Sequence, residues 1–121
     1  MELTAVNPAG RQLIERYGAA GFQVSGVTYA GPVIVFSDRT LPWAAAAPTA
    51  DSLAPVVEHG GIELLLLGLG GRMTPVATAL RVSLKAAGIA VEPMDTGAAC
   101  RTFNVLIAED RRVAAALLPP A

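Results

Sequence analysis

The stretch "IELLLLGLGGRMTPVATALRVSLKAAGIAVEPMD", residues 62–95, constrains this chain more than any other. Ile62 to Leu67 is a run apolar on both faces, the pattern of a central parallel strand. Thr74 is a natural helix N-cap, and Pro75 fits the first helical position, where its missing N–H costs nothing. Val76, Leu80, Leu84 and Ala87 fall at helical spacing, and Gly88 is a stop. Ile89 to Val91 reads as the next strand. The unit is therefore strand–helix–strand, with an expected right-handed crossover.

The flanks fit the same class. In "GFQVSGVTYAGPVIVF", Phe22 and Val24 precede Ser25-Gly26, and Val27 and Tyr29 follow, as in two strands around a two-residue turn. Pro32 opens a second apolar run, Val33 to Phe36, where a strand start tolerates proline. "SDRTLPW" is expected to end that sheet segment. "AAAAPTADSLAPVVEHGG" reads as a connection plus a short helix, capped by Asp51 or Ser52 and stopped by Gly60-Gly61. "NPAGRQLIERYG" is compatible with a short helix carrying Leu13, Ile14 and Tyr17 on one side, or an arm over the core. After residue 94, Asp95 or Thr96 can cap a helix with Ala99, Cys100, Phe103, Leu106 and Ile107 on one stripe. Gly97, Arg101 and Asn104 lie on a different face. Val113 to Leu118 fits either a last strand or a continuing helix. With 121 residues and no internal repeat, the expectation is one domain, with a core over about 14–118 and an arm at 1–13.

Composition narrows the functions. The chain is 53% hydrophobic with mean hydropathy +0.50, yet its longest apolar stretch is broken by Glu63 and falls short of the ~20 residues of a spanning helix. No basic-then-apolar leader opens "MELTAVNPAGRQ", so a cytoplasmic, reduced protein is expected. A net charge of −1 and few aromatics argue against nucleic-acid binding. One Cys and one His give neither a disulfide framework nor a Cys/His zinc site, and no cofactor is expected.

"MDTGAACRTFN", residues 94–104, poses a sharper question, because Asp-Thr-Gly-Ala is how many aspartic proteases write their catalytic loop. Such a protease needs two carboxylates sharing one proton and an almost all-β body. Here the motif opens a helical stripe after a strand–helix–strand unit. The better reading is that Asp95 and Thr96 cap a helix and Gly97 allows the tight entry. "GLGGRM" matches only the first two glycines of a dinucleotide fingerprint, Gly68 and Gly70, with Met73 in the third place and Glu92 roughly where a ribose-binding acid falls.

The two turns matter together. In an open α/β sheet, ligands meet the carboxyl ends of parallel strands, and Gly68–Arg72 and Met94–Arg101 both follow such strands. Both lead into helix N-termini, which attract anions, and Arg72 and Arg101 can add charge. Against this, Asp95 can pair with an arginine and cap its own helix. Cys100, beside Arg101 near a helix start, is a nucleophile only if exposed and lowered in pKa; on the apolar stripe it acts as a small hydrophobe. His59 belongs to a helix end, and Trp43 reads as a packing anchor.

"YGAAGFQVSGVTYAGPVIVFSDRTLPW", "ELLLLGLGGRM" and "VEPMDTGAACRTFNVLIAEDRRVAAALL" together resemble a family of small domains of unknown function, the Mth938-like domain family. Its relatives include a mitochondrial complex I assembly factor, an adipogenesis-associated animal protein and uncharacterised bacterial and archaeal proteins. The resemblance covers about residues 14–118. It implies a three-layer α/β fold with a mixed central sheet, helices on one side and the N-terminal hairpin in the other layer. It also implies that Val113 to Leu118 is a strand, and that the helix after Asp95 starts beside the Gly68–Arg72 turn. It supplies no agreed activity, and the Ala/Arg usage points to a bacterial chain.

The expectation is a non-enzymatic binding or assembly module, monomeric or homodimeric. It presents Gly68, Gly70, Arg72, Asp95, Thr96, Cys100, Arg101 and Asn104 to a protein partner. The alternative is an enzyme or a cofactor- or anion-binding protein using the same Gly68–Arg72 and Asp95–Asn104 edge, with Cys100 as its candidate nucleophile.

Overall fold

The computed structural model describes residues 10–44, 47–71 and 74–120. In chain order the elements are β1 (Ile14–Gly18), β2 (Gly21–Val24), β3 (Val27–Ala30), β4 (Val33–Val35), β5 (Thr40–Pro42), α1 (Ala54–His59), β6 (Leu64–Leu69), α2 (Thr78–Ala86), β7 (Ala90–Met94), α3 (Thr96–Ala108) and β8 (Val113–Leu118). They form a mixed five-stranded sheet in the order β5-β4-β8-β6-β7 and a three-stranded antiparallel sheet in the order β1-β2-β3. This is the expected mixed α/β architecture, with strand–helix–strand–helix–strand in the C-terminal part.

The doubly apolar run does what its pattern requires. In β6, Leu65, Leu67 and Leu69 pack into one core cluster with Leu80, Leu84, Val56 and Leu53. Leu66 packs into a second, with Ala99, Cys100, Phe103 and Ile107 of α3 and Ile14, Phe22 and Val24 of the small sheet. The helices are therefore split between the faces of the five-stranded sheet. This corrects the expectation of helices on one side: α1 and α2 cover one face, while α3 shares the other with β1–β3. The apolar stripe on α3 faces both sheets at once, which only a sandwiched position allows.

β8 pairs parallel with β6 and antiparallel with β4. Ala114, Ala115 and Ala116 are fully buried beside Leu65, Leu66 and Leu67. Small side chains in the middle strand let packed layers approach closely, so this Ala-rich segment is a strand despite its helix propensity.

The hairpin forms as read. Ser25 and Gly26 both take positive φ, 46° and 83°, the twist that a two-residue turn between right-twisted strands demands. The N-terminal helix does not form. Residues 14–18 are β1, and a register shift between Ile14 and Arg16 marks a bulge. In a regular strand Ile14 and Tyr17 would face opposite ways; one extra residue returns them to the same face and imitates helical spacing. Of the arm expected at 1–13, residues 1–9 lie outside the described residues.

Further boundaries differ, and β6 runs from Leu64 to Leu69 rather than from Ile62 to Leu67. α2 starts at Thr78 with Ala77 at the N-cap, not at Thr74-Pro75. Residues 74–77 instead form an irregular lead-in before the helix. Neither Asp51 nor Ser52 caps α1: Leu53 holds that position with Pro55 in the first turn, and the Ser52 backbone N–H is taken by the Thr49 hydroxyl. "SDRTLPW" does not end the sheet, because the chain reverses and returns as β5 against β4. The Phe36 N–H donates to the Arg39 carbonyl at 2.8 Å to close that turn.

Candidate functional site

The carboxyl ends of β6, β7 and β8 meet the start of α3, and hydrogen bonds knit this edge. Asp95 is the N-cap of α3, its Oδ1 accepting from the Ala98 N–H at 2.9 Å. Thr96 is fully buried. Its Oγ1 accepts from the Gly70 N–H at 2.8 Å and donates to the Leu118 carbonyl at 2.5 Å. The Thr96 N–H donates to the Gly70 carbonyl at 3.0 Å. One hydroxyl thus ties the turn after β6 to the end of β8 at the first residue of α3.

The two glycines permit this closeness. A Cβ on Gly68 would stand 2.9 Å from Leu117 Cδ2 and 3.2 Å from the Thr96 backbone, so α3 could not come in so near. Gly70 turns the chain with φ of 76°. Gly68 thus serves the packing of α3 on β6 and Gly70 the turn after β6; because α2 starts only at Thr78, that turn does not lead into a helix N-terminus as the sequence suggested. Glu92 is exposed and pairs with Leu66 within the β6–β7 ladder, two positions before the end of β7.

The remaining residues divide into two groups. Arg101 is exposed, and its guanidinium donates to the Tyr17 hydroxyl at 3.5 Å. That hydroxyl lies over Gly97, where a Cβ would come within 2.6 Å of it. Cys100 and Asn104 point inward. Burial pushes the Cys100 thiol up to about 12, with the Arg101 charge opposing but not overcoming it. Such a thiol carries negligible thiolate near neutrality and behaves as a small apolar group.

Asn104, 6% exposed, is held by β1. Its Oδ1 accepts from the Ile14 N–H at 3.0 Å and its Nδ2 donates to the Ile14 carbonyl at 2.8 Å. The side chain thereby acts as a strand neighbour to Ile14, anchoring the small sheet on α3. Arg72 lies outside the described residues. The edge thus assembles Gly68, Gly70, Asp95 and Thr96, with Arg101 beside it.

Sequence reasoning missed Tyr17, whose position depends on the bulge in β1. It also missed the opposite end of the sheet. There a cleft of about 220 Å³ is lined in part by Arg11, His59, Asp110, Arg111 and Arg112. Arg11 donates to the Ile107 carbonyl at 2.8 Å and pairs with Asp110, which satisfies the last turn of α3. His59 Nε2 is 2.7 Å from Asp38 Oδ1, and its ring stacks on Phe36 with centroids 4.3 Å apart. The His59 contact holds the Asp38 carboxyl below its usual range.

The fold and this edge define a small three-layer α/β domain whose strand ends are closed by their own hydrogen bonds. The chain belongs to the family described as proteins of unknown function (DUF498/DUF598), whose profile matches residues 14–118. An uncharacterised protein of Rhodobacter capsulatus is 38% identical over 112 residues, 92% of this chain and 87% of that one. The NADH dehydrogenase [ubiquinone] 1 alpha subcomplex assembly factor 3 of Danio rerio is also 38% identical over 112 residues. That match covers 89% of this chain but 64% of the assembly factor. Among solved structures, an outer membrane protein from Bartonella henselae superposes with a TM-score of 0.83 at 37% identity, covering 93% of this chain and 98% of that one. A Mth938-like domain from Bordetella pertussis gives 0.81 at 27% identity, covering 98% and 92%. Among the described residues no helix is long and apolar enough to cross a membrane.

Proposed function

We propose that this chain is a non-enzymatic binding or complex-assembly module of the cytoplasm that presents the Gly68–Gly70 turn, the start of α3 and Arg101 to a protein partner. One observation carries this reading: the polar groups that would do chemistry at this edge are already spent on holding it together. The Thr96 hydroxyl is used twice, Asp95 caps its helix, and Cys100 is buried with its thiol raised. What remains outward is a rigid rim bearing the Arg101 guanidinium. Relatives that carry the name of a complex I assembly factor support a role exerted through protein partners. In this reading Gly68 and Gly70 permit close approach, Asp95 and Thr96 fix the edge, and Arg101, with Arg72, supplies charge.

The test is affinity capture from native lysate with wild-type protein against Arg101→Ala, with bound proteins identified and binding of each remeasured with purified components. A partner that binds wild type directly and is weakened tenfold or more in the variant is expected. A direct partner that binds both equally would refute the assignment of this edge, and capture of no direct partner would refute the assembly role.

A further inference from the structure

Two sheets have four edges, and an unpaired edge invites another strand unless it is blunted. Three of the four are blunted. At β7, the parallel ladder turns Ala90 and Glu92 towards β6, with the Ala90 N–H donating to the Glu63 carbonyl at 2.9 Å. The outward groups then belong to Val91 and Pro93. Proline has no N–H, and the Val91 carbonyl accepts from Arg81 at 3.1 Å. At β5, Pro42 again removes a donor from a strand of only 3 residues. At β1, Asn104 takes both backbone groups of Ile14.

β3 is different. Val24 and Val27 close the two-residue turn, so they form a hydrogen-bonded pair, and the groups of Tyr29 also point to β2. The Gly31 N–H donating to the Ala20 carbonyl continues this alternation. The N–H and C=O groups of Thr28 and Ala30 therefore point away from the sheet. Both residues are exposed, as is Val27 at 52%. No charged residue occurs between Ser25 and Ser37, so the edge lacks the lysines and glutamates that usually guard one.

We propose that β3 is a self-association edge, on which a second copy of this chain adds its own β3 antiparallel to make a continuous six-stranded sheet. The register follows from which groups are free. A twofold axis at Tyr29 pairs Thr28 of each copy with Ala30 of the other, giving about four hydrogen bonds. An axis at Thr28 would set Ala30 against Gly26, whose N–H is committed to Glu15 Oε1 at 2.6 Å. An axis at Ala30 would set Thr28 against Pro32, which has no donor. The Tyr29 register also extends the cross-strand row Tyr17–Phe22–Tyr29 into the second copy, with the two Tyr29 side chains adjacent. No like charges meet. A strand of 4 residues covers less than a standard interface of ~1,600 Å², so the dimer is weak and concentration-dependent. This inference is independent of the proposed partner edge, which belongs to the other sheet.

Sedimentation velocity on the full chain, from micromolar to millimolar concentration, tests it alongside Thr28→Pro and Ala30→Pro. Both substitutions remove an outward N–H and leave the β2–β3 ladder untouched. Wild type is expected to shift reversibly from monomer to dimer, with folded variants remaining monomeric. Amide exchange of wild-type Thr28 and Ala30 should slow at least tenfold as concentration rises, a readout that needs no variant to fold. A monomer at every concentration overturns the proposal. A dimer whose Thr28 and Ala30 amides exchange no more slowly than in the monomer also overturns it.

Discussion

Replacing Thr96 with valine would remove one oxygen and almost no volume, so it isolates the hydroxyl at the rim. The Gly70 N–H is buried in the folded chain and accepts no substitute partner from a methyl group. Leaving such a donor unpaired costs about 1–3 kcal/mol, and losing the bond to the Leu118 carbonyl costs roughly 1 more. The added methyl returns about 0.8 kcal/mol. The expected net loss is therefore about 1–3 kcal/mol. For a domain of this size that lowers Tm by roughly 3–15 °C. Thr96→Ser keeps both hydrogen bonds and loses one methyl, about 1 kcal/mol. Urea unfolding followed by circular dichroism should show the valine midpoint well below the serine midpoint at unchanged m-value. If valine proves as stable as serine, the hydroxyl is not what holds the β6 turn and β8 together. The account of a rim closed by its own bonds would then be wrong.

Three other outcomes follow from the same reasoning. Cys100 should resist thiol reagents at pH 8 in folded protein and react at the rate of opening, because burial holds its thiol near 12; rapid labelling of native protein would refute this. Asn104→Asp sets a carboxylate oxygen against the Ile14 carbonyl in a buried site, so it should destabilise by about 2–4 kcal/mol at neutral pH and recover as acid protonates the new group. A pH series of unfolding midpoints would show whether that recovery occurs. The Asp38 carboxyl is lowered from 3.8 mainly by its bond to His59, so its contribution is present above pH 3.8 and lost as pH falls through the lowered value; Asp38→Asn should flatten that acid limb, and an unchanged slope would argue against the contact.

Much of the core was legible because local chemistry and long-range packing agree there. The Leu65–Leu67 run, the Ser25-Gly26 turn and the Asp95 cap each have one low-cost conformation, and each adopts it. The layer order was less legible. Whether α3 sides with α1 and α2 depends on which sheet face its stripe meets, and a stripe has no such label. β1 escaped notice because a bulge produces the spacing of a helix. β5 escaped notice because three residues, one of them a proline, carry almost no periodic signal. At the candidate site, the glycines and the capping Asp95 announce themselves locally. The partner of Asn104 lies 90 residues away in sequence, and nothing near either residue specifies the pairing.

Of the eight strands among the described residues, the last in sequence stands in the middle of the larger sheet. Before β8 arrives, β4–β5 and β6–β7 are two separate two-stranded ribbons with no hydrogen bonds between them. Two-stranded ribbons are marginal in water. During synthesis the chain therefore holds Leu65, Leu66, Val33 and Val35 without their permanent neighbour until residues 113–118 are available. Closure of the larger sheet waits on those residues, and the nascent chain passes through a window in which a holdase would find its apolar strands exposed.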